Sequence, residues 1–211
     1  MAERYALIVA NGETPSRRLF LRYKKNAGII VAADGGLNSL HLLGVVPDHL
    51  VGDLDSAHRS LVRSFPPEHI TKIVDEYSTD LEKAVVWCIR KGFKEIVVLG
   101  AAGKRIDHQF GNLGVPAKFA RSARIVLADE HGEMYYVGRS FSITTRRGQV
   151  ISLLPLSRCV GIRSTGLKYS LKNESLMLGR RDGTSNVATG SRVTIRVRSG
   201  HLLLFRRSVT P

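Results

Sequence analysis

Cysteine is scarce in this chain. Two occur in 211 residues, Cys88 and Cys159, far apart and at no spacing that grips a metal, so a zinc module is excluded and a reducing cytoplasm is the expected setting. No apolar run approaches the roughly 20 residues that span a bilayer, and no membrane partner is expected. Residues 1–10 are too short an apolar stretch, too soon interrupted by Asn11-Gly12, to read as a signal peptide. Tryptophan occurs once, Trp87, where a core position is expected. Acid also runs out along the chain. From Met134 onward only Glu174 and Asp182 face fourteen Lys and Arg residues.

What is present suits a soluble globular protein of one large domain or two small ones, with 43% apolar residues for the core and an ordinary 24% charged. The net charge of +14 raises nucleic acid as a partner. Two observations weigh against it as the main one. Residues 192–198 (RVTIRVR) alternate cations with β-branched residues, as a half-buried strand with a solvated face does. Aromatics interleaved with the basic residues, which single-strand binding uses for stacking, are confined to Phe205 beside Arg206-Arg207.

The first part alternates strand-length apolar runs with helical stretches. Runs stand at 5–10, 29–33, 49–51, 70–74, 95–99 and 124–128. Helix signals lie between them: Thr14-Pro15 with Gly28 beyond, residues 38–43 stopped by Gly44, and Thr79 with Glu82 as a capping box opening a helix to Lys91. This interleaving predicts a largely parallel sheet covered on both faces. After about His131 short alternating segments take over at 140–144, 149–154, 175–178, 193–197 and 201–205, separated by glycine turns. The expected organisation is an α/β domain over 1–132 and an all-β antiparallel sandwich over 133–211.

Carboxylates recur just after the apolar runs, where ligands of open α/β sheets bind. Asp34-Gly35-Gly36, Asp53-Leu54-Asp55, Asp80 and Gly100–Asp107 all fall there. Asp53 and Asp55 are two residues apart, so an extended backbone projects both to one side and lets a metal be gripped; the same spacing also suits an Asx-rich turn. Asp80 suits the first turn of a helix on dipole grounds alone, with Lys83 one turn along the same face. Acids clustered in a cationic protein call for a hard divalent ion such as Mg²⁺, and Lys83, Lys104 and Arg105 suit phosphate oxygens. The expected chemistry is metal-assisted and acts on a polyphosphate.

These blocks, in this order, resemble the thiamine pyrophosphokinase family. The carriers are Ala33–Gly36, Gly52–Ser56, Ser78–Lys83 and Gly100–His108, followed by Gly166-Leu167-Lys168-Tyr169 and Gly183-Thr184-Ser185-Asn186. The resemblance implies an α/β domain joined to a β-sandwich. It also implies Mg²⁺-dependent transfer of pyrophosphate from ATP to thiamine, in a cytoplasmic homodimer with its active site at the subunit interface. By position, Asp53, Asp55 and Asp80 would bind metal, while Asp34, Thr79, Lys83, Lys104, Arg105 and Asp107 would position ATP or stabilise charge. Asp34 or Asp107 would take the hydroxyl proton. Tyr169, Ser185 and Asn186 would contact thiamine from the partner subunit. Lys104 stands where the family usually has glycine, and the only tryptophan lies outside the C-terminal part, which leaves Tyr169 to stack on thiamine. The rivals are pyrophosphate transfer to another alcohol, such as a hydroxymethyl pterin, and a basic nucleic-acid-binding protein.

Overall fold

Buried β-branched and leucine runs separated by short amphipathic helices build the first part of the chain. The computed structural model describes residues 4–209, so the first three residues of the stretch read against a signal peptide lie outside the described residues. The chain divides into two compact units, one ending at Glu130 and one beginning at His131. No helix among the described residues is long and apolar enough to cross a membrane.

The first unit runs β1 (Tyr5–Val9), α1 (Arg17–Lys24), β2 (Ala27–Ala33), α2 (Gly36–Leu42), β3 (His49–Gly52), α3 (Arg59–Ser64), β4 (Ile70–Lys72), α4 (Asp80–Arg90), β5 (Glu95–Leu99), α5 (Ile106–Lys118) and β6 (Arg124–Ala128). Its strands lie in the order β6-β5-β1-β2-β3-β4, every pair parallel, as the sequence pattern predicts. Leu7, Ile8, Leu50, Ile96 and Leu99 are fully buried in this sheet, with Leu40 of α2 against it. Parallel strands buried on both faces read as continuous apolar runs, which is why each was legible.

Local chemistry sets the helix ends. Ser16 caps α1 by accepting from the Leu19 amide at 3.1 Å, two residues after the Thr14-Pro15 signal. Thr79 caps α4 by accepting from the Glu82 amide at 3.3 Å. The capping box is only half made, because the Glu82 carboxylate turns instead to Lys118 Nζ at 2.8 Å. Helix α5 runs unbroken through Gly111, Gly114 and Pro116 despite their poor propensity. Trp87 is half-buried rather than core, stacked on His49 with ring centroids 4.2 Å apart.

The second unit is all strand: β7 (Gly132–Val137), β8 (Ser140–Thr144), β9 (Val150–Pro155), β10 (Cys159–Thr165), β11 (Lys172–Leu176), β12 (Gly183–Val187), β13 (Arg192–Arg196) and β14 (Leu202–Arg207). They form two four-stranded runs, β12-β9-β14-β7 and β11-β10-β13-β8, antiparallel throughout. Ile151, Leu153, Ile162, Leu176 and Ile195 are buried here. Three strands escaped the pattern reading. β7 opens with Gly132-Glu133 and places the charged Glu133 on its buried face, β10 is broken by a register shift, and β12 is almost wholly polar.

Candidate active site

The carboxyl ends of β1, β2, β3 and β5 converge on one region of the first unit. Gly36 opens α2 hard against β1: a Cβ there would meet the Val9 carbonyl oxygen at 1.9 Å, so only glycine fits. Asp34, just before it, sits in the left-handed region (φ 43°) with its carboxyl fully buried. Its oxygens accept from the Ser56 amide at 3.0 Å and the Ala57 amide at 3.3 Å, tying the β2 turn to the loop after β3. Asp53 comes from that loop and Asp80 from the first turn of α4. Carboxylate oxygens of Asp34, Asp53 and Asp80 all lie within 4.8 Å of one another, a grouping able to hold a cation.

One expected member stays out. Leu54 has φ 72°, so the Asp53–Asp55 segment is a bend and the two-residue alternation that would align both carboxylates is lost. Asp55 instead accepts from the Ser56 hydroxyl at 2.9 Å, and Asp34 completes the group in its place.

Lys83 supplies the counter-charge. Its side chain is 3% exposed, and its ammonium lies 2.7 Å from Asp53 and 2.9 Å from Asp80. Burial works against the charged form, yet the hydrogen bonds to Asp53 and Asp80 outweigh it and raise the Lys83 pKa. The same hydrogen bond lowers that of Asp53. Asp34 goes the other way, pushed up to about 6 by burial, with repulsion from Asp80, Asp53 and Asp55 adding to it against the Ser56 amide bond.

The Asp34 shift has a measurable sign. The folded state holds this proton more tightly than the unfolded chain, so its stabilising contribution is complete below pH 3.8 and disappears as pH rises through about 6. Calorimetry in EDTA at pH 5 and 7.5 should show Asp34→Asn gaining on the wild type as pH rises, by about 1.4 kcal/mol. An offset that does not change with pH would mean Asp34 is ionised throughout.

Beside the carboxylates lies a cleft of about 190 Å³ lined by Asn11, Thr79, Asp80, Lys104, Arg105 and His108, among others. The loop after β5 forms one wall. It is laced to the loop after β1 by the Gly12 and Glu13 amides, which donate to the carbonyls of Gly100 and Ala102 at 2.7 Å each. Lys104 sits in the left-handed region (φ 55°) and donates to Asn11 Oδ1 at 2.9 Å. Arg105 and Asp107 are exposed and paired, Nε to Oδ1 at 3.1 Å, and the guanidinium holds the Asp107 carboxyl down to about 2. Asn11, Gln109 and Asn112 line the same cleft and were missed in the sequence. Of these only Asn11-Gly12, directly after an apolar run, carried a usable signal.

The remaining predicted residues belong to the second unit. Asn186 is buried and clamps the Tyr169 backbone: its Nδ2 donates to the Tyr169 carbonyl at 2.8 Å, and its Oδ1 accepts from the Tyr169 amide at 3.1 Å. Tyr169 as a residue is 63% exposed, with the Lys168 ammonium 5.3 Å from its ring centroid. Ser185 lies between Gly183 and Asn186, where the β12–β9 register shifts, with φ 58° and its amide donating to Ser152 Oγ at 3.0 Å. Such bulges re-aim side chains and are common beside functional sites.

Comparison with known proteins gives this geometry its context. Residues 20–127 match the model of the thiamin pyrophosphokinase catalytic domain, and residues 140–202 that of the thiamin pyrophosphokinase vitamin B1 binding domain. The chain is 29% identical to thiamine pyrophosphokinase 1 of Oryza sativa subsp. japonica over 97% of its length and 87% of the relative's. It is 28% identical to the Bacillus subtilis (strain 168) enzyme, covering 83% of this chain and 86% of that one. The solved thiamine pyrophosphokinase of Bacillus subtilis superposes with a TM-score of 0.83 at 25% identity, over 98% of this chain and all of that one. That of Geobacillus thermodenitrificans gives 0.82 at 25% identity, covering 98% of each. With the catalytic-domain match alone spanning half of its residues, and the vitamin-binding match following in order, this chain belongs to the thiamin pyrophosphokinase family.

Proposed function

We infer that this protein is an ATP-dependent thiamine pyrophosphokinase. It transfers the terminal pyrophosphate of ATP to the hydroxyethyl oxygen of thiamine, releasing thiamine diphosphate and AMP. The observation that carries the reading is the pair of family matches in order across both units, with Asp34, Asp53 and Asp80 gathered in the first.

Three oxygen-bearing ligands fit a hard divalent cation, and Mg²⁺ is part of the proposal: Asp53 and Asp80 would hold it with Asp34 beside them. Bound there, the ion would supply positive charge against the polyphosphate. Lys104 and Arg105, on the cleft wall, contact phosphate oxygens, and the Arg105 fork suits the charge that grows on the departing AMP. Asp107 orients that guanidinium, and a carboxyl this acidic is a poor proton acceptor. Asp34 has the higher proton affinity, but it is buried and committed to two amides, so its role is to position Ser56 and the cluster. Asp55 is assigned no ligand oxygen. In the second unit Tyr169 offers an exposed ring for thiamine, and Asn186 fixes its backbone.

The working form in this reading is a homodimer, in which the acidic cluster of one subunit meets Tyr169, Ser185 and Asn186 of the other. A reducing cytoplasmic setting belongs to the same reading and suits two free, buried cysteines. A substrate panel tests the activity. ATP and Mg²⁺ should release AMP with thiamine as acceptor and not with a hydroxymethyl pterin or with no acceptor. Faster release with the pterin would transfer the assignment to that alcohol.

A further inference from the structure

The four-stranded run β11-β10-β13-β8 carries a face the pyrophosphokinase reading leaves unused. Cross-strand register brings Lys172, Arg163, Arg196 and Ser140 into one row, Arg163 opposite both Lys172 and Arg196. The next row is Thr165, Thr194 and Ser142, and Arg192 stands opposite Thr144 beyond it. Arg198 extends the same alternation of β13, its stem against Gly161. All five cations are exposed, and none has an acidic partner among the described residues. Of the unit's three acids, Glu133 pairs with Arg206 and Asp182 bonds Thr184, while Glu174 pairs with Arg181 and also accepts from the Lys172 backbone amide at 3.1 Å.

Like charges directly opposite on a sheet oppose folding. Neighbouring strands are about 4.8 Å apart, so Lys172, Arg163 and Arg196 repel across roughly 10 Å, and among the described residues no ion pair to any of the three offsets it. We propose that this face binds the phosphate backbone of duplex nucleic acid, independently of sequence. Arginine forks and hydroxyls donate hydrogen bonds to phosphate oxygens. The face carries no aromatic ring for stacking unpaired bases and no apolar wedge for entering a bilayer, so a duplex fits better than a single strand or a membrane. A second copy of the chain would bring the same positive charge and be repelled.

The test uses the whole protein and a fluorescent DNA duplex of about 20 base pairs, titrated from about 50 to 200 mM salt. Four or five phosphate contacts predict a log–log salt slope of about −4. The double variant Arg163→Gln/Arg196→Gln should bind at least 10-fold more weakly at about 100 mM salt, with the slope reduced by about 2. Its melting temperature should be unchanged or raised, because repulsion is relieved, and AMP release from ATP and thiamine should stay at the wild-type rate. Lost pyrophosphokinase activity in the wild type would bear on the enzyme reading alone. The duplex proposal is overturned by absence of binding at the lowest salt, by binding that the double variant leaves unmoved, or by tighter binding to a single strand of equal length or to phosphatidylserine vesicles.

Discussion

Asp53→Asn should reduce AMP release from saturating ATP, Mg²⁺ and thiamine by roughly 10³-fold or more, the scale on which charge-stabilising groups act in phosphoryl transfer. The amide keeps the volume and removes the charge that both the cation and Lys83 require. The fold should survive, since Asp53 is about a third exposed and Lys83 keeps Asp80 as a partner. Asp55→Asn is the informative comparison. Leu54 turns the backbone so that Asp55 stays out of the carboxylate group, and its substitution should cost much less than that of Asp53. Equal collapse of both variants, each with wild-type circular dichroism, would show that the loop closes on the cation with both carboxylates. Near wild-type turnover of Asp53→Asn would remove the metal assignment.

Restored activity from two dead variants is the second large effect expected. On the proposed assignment, Asp80→Asn would lose the cation site, and Ser185→Trp would block the vitamin side at a residue already in a left-handed bulge. Each homodimer should be nearly inactive. After subunit exchange, half the dimers are mixed and each carries one site with both halves sound, so activity should recover to roughly a quarter of wild type in a symmetric two-fold assembly. Native mass spectrometry counts the mixed dimers directly. Heterodimers present without recovered turnover would place every active site within a single subunit.

How much of this was legible in sequence depended on which force set each feature. The parallel strands were readable because burial on both faces writes continuous apolar runs, and α4 because Thr79 announces its start. The glycine-bearing turns and their acids were readable as a family pattern. Asp55 lies outside the carboxylate grouping because its spacing from Asp53 gives a common face only when the backbone between them is extended, and Leu54 is not. Glu82 misled because a capping residue is assigned from neighbours in sequence, whereas its partner Lys118 is 36 residues away. Strand β12 went unseen because its polar residues carry no hydrophobic alternation. The cationic rows of the second unit were invisible for a deeper reason: each strand alone reads as an ordinary solvated face, and only register aligns Lys172, Arg163 and Arg196.

Lys83 has a consequence for how the active site is assembled. An ammonium anchored on α4 and buried between Asp53 and Asp80 is a tethered counter-ion, so the chain can fold around its acidic loops before meeting any metal. Three carboxylates without it would repel one another during synthesis. The tether also sets the terms of loading. In the proposed metal site, a bare divalent ion would have to compete with a positive group already seated between two of the carboxylates. An ion arriving on ATP would bring triphosphate oxygens with it, to which the Lys83 ammonium could turn. If the carboxylates hold Mg²⁺ as proposed above, the lysine would favour delivery of metal and nucleotide together over stepwise filling.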